Sequence, residues 1–152
     1  VDFVLRDPSL VPLSHQHQHG LAFCVMARRS LAADASAANC LRIAGHVADL
    51  FQVELANHFE IEEQLLFPAA GPLPLVAELI ADHRALEALG ADLHAAPSAG
   101  LIERFCELLS SHIRREERDL FEVLQRDLPH EVLESLGREI DRRAVRACLP
   151  PI

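Results

Sequence analysis

The chain has no tryptophan, no tyrosine and a single methionine. β-Branched residues are few, and no stretch alternates apolar and polar residues as a half-buried strand does. These absences exclude a sheet-based domain. A surplus of positive charge is also missing: the formal net charge is −9, and the short clusters Arg114-Arg115 and Arg142-Arg143 sit among acids. No basic stripe exists to follow a phosphate backbone, so nucleic acid is not an expected partner. No apolar run reaches membrane-spanning length. The opening VDFVLRDPSLVP lacks a charged region followed by an apolar one, so no secretory signal is expected and the cytoplasm is the expected compartment. None of the four cysteines, Cys24, Cys40, Cys106 and Cys148, forms a C-x-x-C pair. Reduced thiols are therefore expected rather than a zinc finger or a disulfide framework.

What is present is helix-forming. Half of the 152 residues are apolar, enough for one domain over 1–152 with a sizeable core, and Ala, Leu, Glu and Arg dominate. Breakers divide the chain into four long runs. The first extends from an N-cap at Ser14 to about Ala33, the second from about Ala37 to Phe67 before Pro68, the third from Pro74 to about His94, and the fourth from about Leu101 to Leu128 before Pro129. A short amphipathic tail helix is expected at about 131–145. The predicted architecture is all-α: an up-down-up-down four-helix bundle over about 13–128 with a short C-terminal helix.

One pattern occurs twice. HFEIEEQLLF, from His58 to Phe67, and HIRREERDLF, from His112 to Phe121, are both H-x-x-x-E-E-x-x-L-F. At helical spacing, Val47, Phe51, Leu55, His58, Glu62 and Leu65 share one face. So do Phe105, Leu108, His112, Glu116 and Val123. Each helix thus replaces apolar residues in a buried seam with a His and a Glu one turn apart. A buried carboxylate costs several kcal/mol unless it is paired or binds a metal. The third helix carries His83 between Leu79 and Leu86, with Glu87 one turn on. The first helix has Leu13, His17, Gly20, Cys24, Ala27 and Leu31 on one face, which selects His17 over His15 and His19, although a register error there leaves all three open. Four inward histidines and two inward glutamates suit iron, and less specifically manganese or zinc. Two histidines per metal with two shared carboxylates would make a dinuclear centre. Glu60 and Glu63 read as a solvated face, and Glu117 does so less firmly. His46, His94 and His130 read as non-ligands, and His19 as a candidate outer group.

The set His17, His58-x-x-x-Glu62, His83 and His112-x-x-x-Glu116 resembles the hemerythrin family, specifically its hemerythrin-like HHE cation-binding domains, over about Leu13 to Leu128. The resemblance implies a non-haem di-iron site in which His17 and His58 bind one iron and His83 and His112 the other. Glu62 and Glu116 would bridge them together with an oxo or hydroxo group. Two departures from the oxygen carriers of that family stand out. Glu87 replaces a second histidine on the third helix, and the step from His112 to Glu116 is four residues, with Glu117 at five. Both argue against reversible oxygen carriage. They point to a redox or iron-handling protein that meets oxygen, peroxide or nitric oxide, with weak catalase- or peroxidase-like turnover, and with Glu87 as a candidate catalytic or ligating group. The alternative is an iron- or oxygen-sensing binding module without turnover. Nothing in the sequence bears on oligomeric state.

Overall fold

The computed structural model describes residues 5–146, and among these there are helices and no strand. Helix α1 (Val11–Ala33) starts earlier than the Ser14 cap predicts. Pro12 lies in its first turn, where no N–H is missed, and Leu10 precedes it, so Ser14 falls inside the helix. After Asp34 the Ser36 hydroxyl accepts the Asn39 N–H and caps helix α2, residues 37–70. Gly71 ends α2 with a φ of 75°, a left-handed value that favours glycine. Pro74 opens α3 (Pro74–Ala95). Ser98 caps α4, residues 99–127, through the Leu101 N–H. Helix α5 (His130–Arg143) is the short C-terminal helix. Cys148 lies outside the described residues.

α1 packs against α2 and α4, and α3 packs against α2 and α4, so the four longer helices form a bundle; α5 lies on α1 and on the second half of α2. Its core has two apolar clusters. One contains Phe23, Ile43, Leu55, Leu86 and Phe105; the other contains Leu13, Ile61, Leu79, Phe121 and Leu133. Along every long helix the inward histidine falls between members of the two clusters: His17 after Leu13 and before Cys24, His83 after Leu79 and before Leu86. The inward histidines and glutamates form one layer between the two apolar clusters.

Helices α2 and α4 are not regular. Each contains a wide π turn, Glu62–Leu66 in α2 and Glu116–Leu120 in α4, in which the glutamate carbonyl accepts the N–H five residues on, from Phe67 and Phe121 respectively. A third π turn spans Phe51–Leu55. Each π turn inserts one residue's worth of rotation and moves the buried face by one position. Leu66 and Leu124 are therefore buried where regular spacing predicts Leu65 and Val123, which are half-buried. The same turn lets α2 run past Pro68 to Ala70. Pro68 stands at the start of the last α-helical turn, where a proline is tolerated.

Candidate metal centre

Each glutamate that opens a π turn faces inward. Glu62 and Glu116 are fully buried, as are His83 and His112, with His58 and His17 only 2% and 3% exposed. The π turn explains the rest of the repeated motif. It brings both the Leu and the Phe that follow inward, and each Phe stacks on a histidine of another helix: Phe67 on His83 with centroids 5.6 Å apart, and Phe121 on His17 at 5.4 Å.

The two carboxylates are shared. Glu62 Oε1 lies 2.5 Å from His58 Nε2, and its Oε2 lies 2.9 Å from His83 Nε2. Glu116 Oε2 lies 2.9 Å from His17 Nε2, and its Oε1 lies 3.3 Å from His112 Nε2. Each carboxylate thus turns one oxygen to the His17–His58 pair and the other to the His83–His112 pair. Two groups that could each hold a metal ion result. One is His17, His58, Glu62 and Glu116, the other Glu62, His83, His112 and Glu116, with the donor atoms of each group within 4.8 Å of one another. Several of these atoms are close without being aligned for hydrogen bonds. Both Glu62 oxygens, Glu116 Oε1, His83 Nε2 and His112 Nε2 are buried and have no hydrogen-bond partner. Orphaned buried atoms of this kind are costly, and convergent imidazole and carboxylate donors are what a first-row metal requires. The donor set fits a pair of metal ions.

Without metal the two glutamates and His17, His58 and His112 compensate one another by charge. Burial pulls the His17 imidazole down, but Glu116, Glu117 and Glu62 outweigh it and hold it well above its ordinary pKa. His112 is likewise pushed down by burial and carried up, to about 9, by Glu116 and Glu62 with help from Asp82. Burial and the Glu116 charge raise Glu62, yet His58 and His17 draw it down to about 2. Glu116 is also held well below the carboxylate range, by His112, His17 and His58 against the penalty of burial. His17 Nε2 and His58 Nε2 are 2.9 Å apart, so one of the two must carry a proton when no cation lies between them.

An outer ring completes the centre. The Nδ1–H of His17 donates to Glu117 at 2.8 Å, that of His58 to the Gln16 side-chain Oε1 at 2.7 Å, that of His83 to Glu63 at 3.0 Å and that of His112 to Asp82 at 3.1 Å. A carboxylate or amide oxygen at Nδ1 fixes the tautomer that leaves Nε2 free for the interior. Three of these partners are in turn held by arginine: Glu117 by Arg6, Glu63 by Arg84 and Asp82 by Arg115. Gln16 has no arginine; its amide donates to the Val145 carbonyl and to Asn57.

The structure brings together His17, His58, Glu62, His83, His112 and Glu116, with Glu117 in the outer ring. It does not bring Glu87 to them. Glu87 is exposed, and its carboxylate is taken by Arg84 one turn away on the same helix. Glu63 is not part of a solvated face but the partner of His83. His15 and His19 are exposed, and His19 pairs instead with Glu54, a carboxylate only 1% exposed. The sequence reading missed Gln16, Asp82 and Glu54. Glu54 was detectable, since it stands one turn before His58, as His58 does before Glu62. No helix among the described residues is long and apolar enough to cross a membrane.

The family profile of the hemerythrin HHE cation-binding domain matches residues 12–124, nearly three-quarters of the chain, and the chain belongs to that family. No curated protein and no solved structure matched it.

Proposed function

We propose, from this membership in the hemerythrin HHE family, that the chain is a di-iron protein of redox or iron handling. Its four longer helices run up-down-up-down around the centre. His17 and His58 hold one iron, His83 and His112 the other, and Glu62 and Glu116 bridge them. The carrying observation is that each bridging carboxylate turns one oxygen to each histidine pair. Iron in such a set would supply electron exchange with oxygen, peroxide or nitric oxide. The remaining chemistry belongs to the protein. The buried imidazoles exclude water, Glu117, Glu63 and Asp82 hold the Nδ1 protons, and the apolar clusters on either side confine access to small inorganic molecules.

Turnover rather than reversible oxygen carriage is favoured, on different ground from Glu87. Three of the four histidines are hydrogen-bonded to carboxylates. Such partners make an imidazole a stronger donor and favour the harder, ferric ion. The test is anaerobic loading with ferrous iron and elemental analysis, followed by oxygen or peroxide under optical observation. Two irons per chain and oxidation that deoxygenation does not reverse are expected. One iron per chain would overturn the dinuclear reading; a spectrum restored to the ferrous form on deoxygenation would overturn the redox reading. An iron or oxygen sensor without turnover would load two irons yet leave peroxide unconsumed.

A further inference from the structure

Two thiols that the metal centre does not use meet in the seam between α1 and α4. Cys24 and Cys106 are 2% and 0% exposed and lie in the same apolar cluster. Both are free thiols. Cys24 Sγ is 3.6 Å from the Cys106 carbonyl oxygen. The Cys106 thiol is the main group lowering the Cys24 pKa, assisted by the Ser110 hydroxyl and by Arg28 and Arg114, while the Cys24 thiol together with burial raises that of Cys106. The helices are close here because Gly20, one turn before Cys24, has no side chain. A Cβ at Gly20 would meet Ile113 Cδ1 at 3.0 Å and Leu109 Cδ2 at 3.6 Å. A disulfide joins Cα atoms about 5.5–6 Å apart, which between helices requires such an approach. The third buried thiol, Cys40, is directed to the Ala35 carbonyl at the start of its own helix.

We propose that Cys24 and Cys106 form an oxidisable dithiol, which hydrogen peroxide converts into an intramolecular disulfide tying α1 to α4. Cys24, the thiol whose pKa its surroundings lower while that of Cys106 is raised, reacts first. Its sulfur attacks one peroxide oxygen and the O–O bond breaks. The departing hydroxide leaves as water with the Cys24 proton, and Cys24 becomes a sulfenic acid. The Cys106 sulfur then attacks the Cys24 sulfur, the S–O bond breaks, and a second water leaves with the Cys106 proton. Two thiols give up two electrons and one peroxide accepts them. Burial closes the pair to thiol-exchange partners in the folded chain and leaves it to a water-sized oxidant that enters as the helices breathe. The step needs no iron, so it stands or falls apart from the di-iron reading.

The experiment is peptide mapping of the whole chain after titration with hydrogen peroxide, unfolding in iodoacetamide and tryptic digestion. The expected result is loss of alkylation at Cys24 and Cys106 and a linked pair of fragments, 7–28 with 105–114, lighter by two hydrogens, while Cys40 in fragment 30–42 stays alkylated. Both thiols still alkylated, or Cys24 linked to Cys40 or Cys148, would overturn the proposal. In Cys106→Ser, checked for native helicity by circular dichroism, the sulfenic acid should persist at Cys24 and be trapped by dimedone. A dimedone adduct on Cys106 in Cys24→Ser, with none on Cys24 in Cys106→Ser, would overturn the order of attack.

Discussion

Behind His83 and His112 stand two carboxylates, Glu63 and Asp82, each held by an arginine; behind His17 and His58 stand one carboxylate, Glu117, and one neutral amide, Gln16. The inner donors of the two halves are the same, two imidazoles and two shared carboxylates. Their surroundings are not. His83 is stacked under Phe59, with centroids 3.9 Å apart, and backed by Phe67. The other half borders a cavity of about 600 Å³ at the N-terminal end of α1, lined by His15, Gln16, His19 and Val145 among others. A symmetric sequence motif has thus produced a centre with one sealed, more anionic half and one half next to open space. The difference lies in the residues that touch the histidines from outside.

The strongest way to break the comparison is to remove what both halves share. Glu62→Ala or Glu116→Ala should abolish most metal binding in both halves, read as iron per chain after reconstitution, because each carboxylate serves both quartets. His83→Ala should instead leave about half of the metal. Equal loss from all three would mean that the halves cannot be loaded separately.

Acid and base act next. In the metal-free chain Glu62 has its pKa lowered to about 2, so its contribution to stability is present above the ordinary carboxylate value and is lost as pH falls toward 2. His112 is raised to about 9, so its contribution is complete below the ordinary imidazole value and is lost as pH rises through 9. The metal-free melting temperature should therefore be highest between about pH 4.5 and 6.5 and decline on both sides. The metal-loaded chain should gain relative to it as pH rises, because binding displaces the imidazole protons. Thermal melts of both forms from pH 4 to pH 10 decide this, and a metal-free melt that is flat across that range would show that these groups do not carry folding energy.

A finer probe separates the halves. Asp82→Asn should weaken the His83–His112 half by about 10- to 100-fold in chelator competition. Gln16→Leu should cost the other half less, since a neutral amide adds less to imidazole basicity than a carboxylate does. A larger loss for Gln16→Leu would invert the ranking. The smallest effect is expected from Glu87→Gln, which removes an exposed ion pair with Arg84 worth at most about 1 kcal/mol and should leave metal content unchanged. Loss of metal there would return Glu87 to the centre.

The inward groups were legible in the sequence because helix periodicity alone puts a His and a Glu one turn apart on a buried face. All six residues of the α1 face, from Leu13 to Leu31, are buried as that periodicity requires. The register slips by one past the π turns, and Leu108, ahead of the one in α4, is half-buried beside the buried Leu109. Whether the N–H of Phe67 pairs with the Glu62 carbonyl or with that of Glu63 depends on how the helix is held, and local propensity does not encode it.

Of the outer ring only Glu117 was marked in the sequence, as a possible ligand five residues after His112, although all its members stand beside inner ones in the chain. Gln16 precedes His17, Asp82 precedes His83, Glu63 follows Glu62 and Glu117 follows Glu116. Neighbouring residues on a helix point about 100° apart, so each of these leaves its own helix's inward face and reaches the histidine of another. Gln16 serves His58, Asp82 serves His112, Glu63 serves His83 and Glu117 serves His17. By itself the sequence determined that six metal-capable side chains face one interior, because that follows from spacing within single helices. Which oxygen backs which imidazole, and hence how the two halves differ, was decided only by the tertiary structure, because those hydrogen bonds cross between helices whose rotation and approach are set by packing.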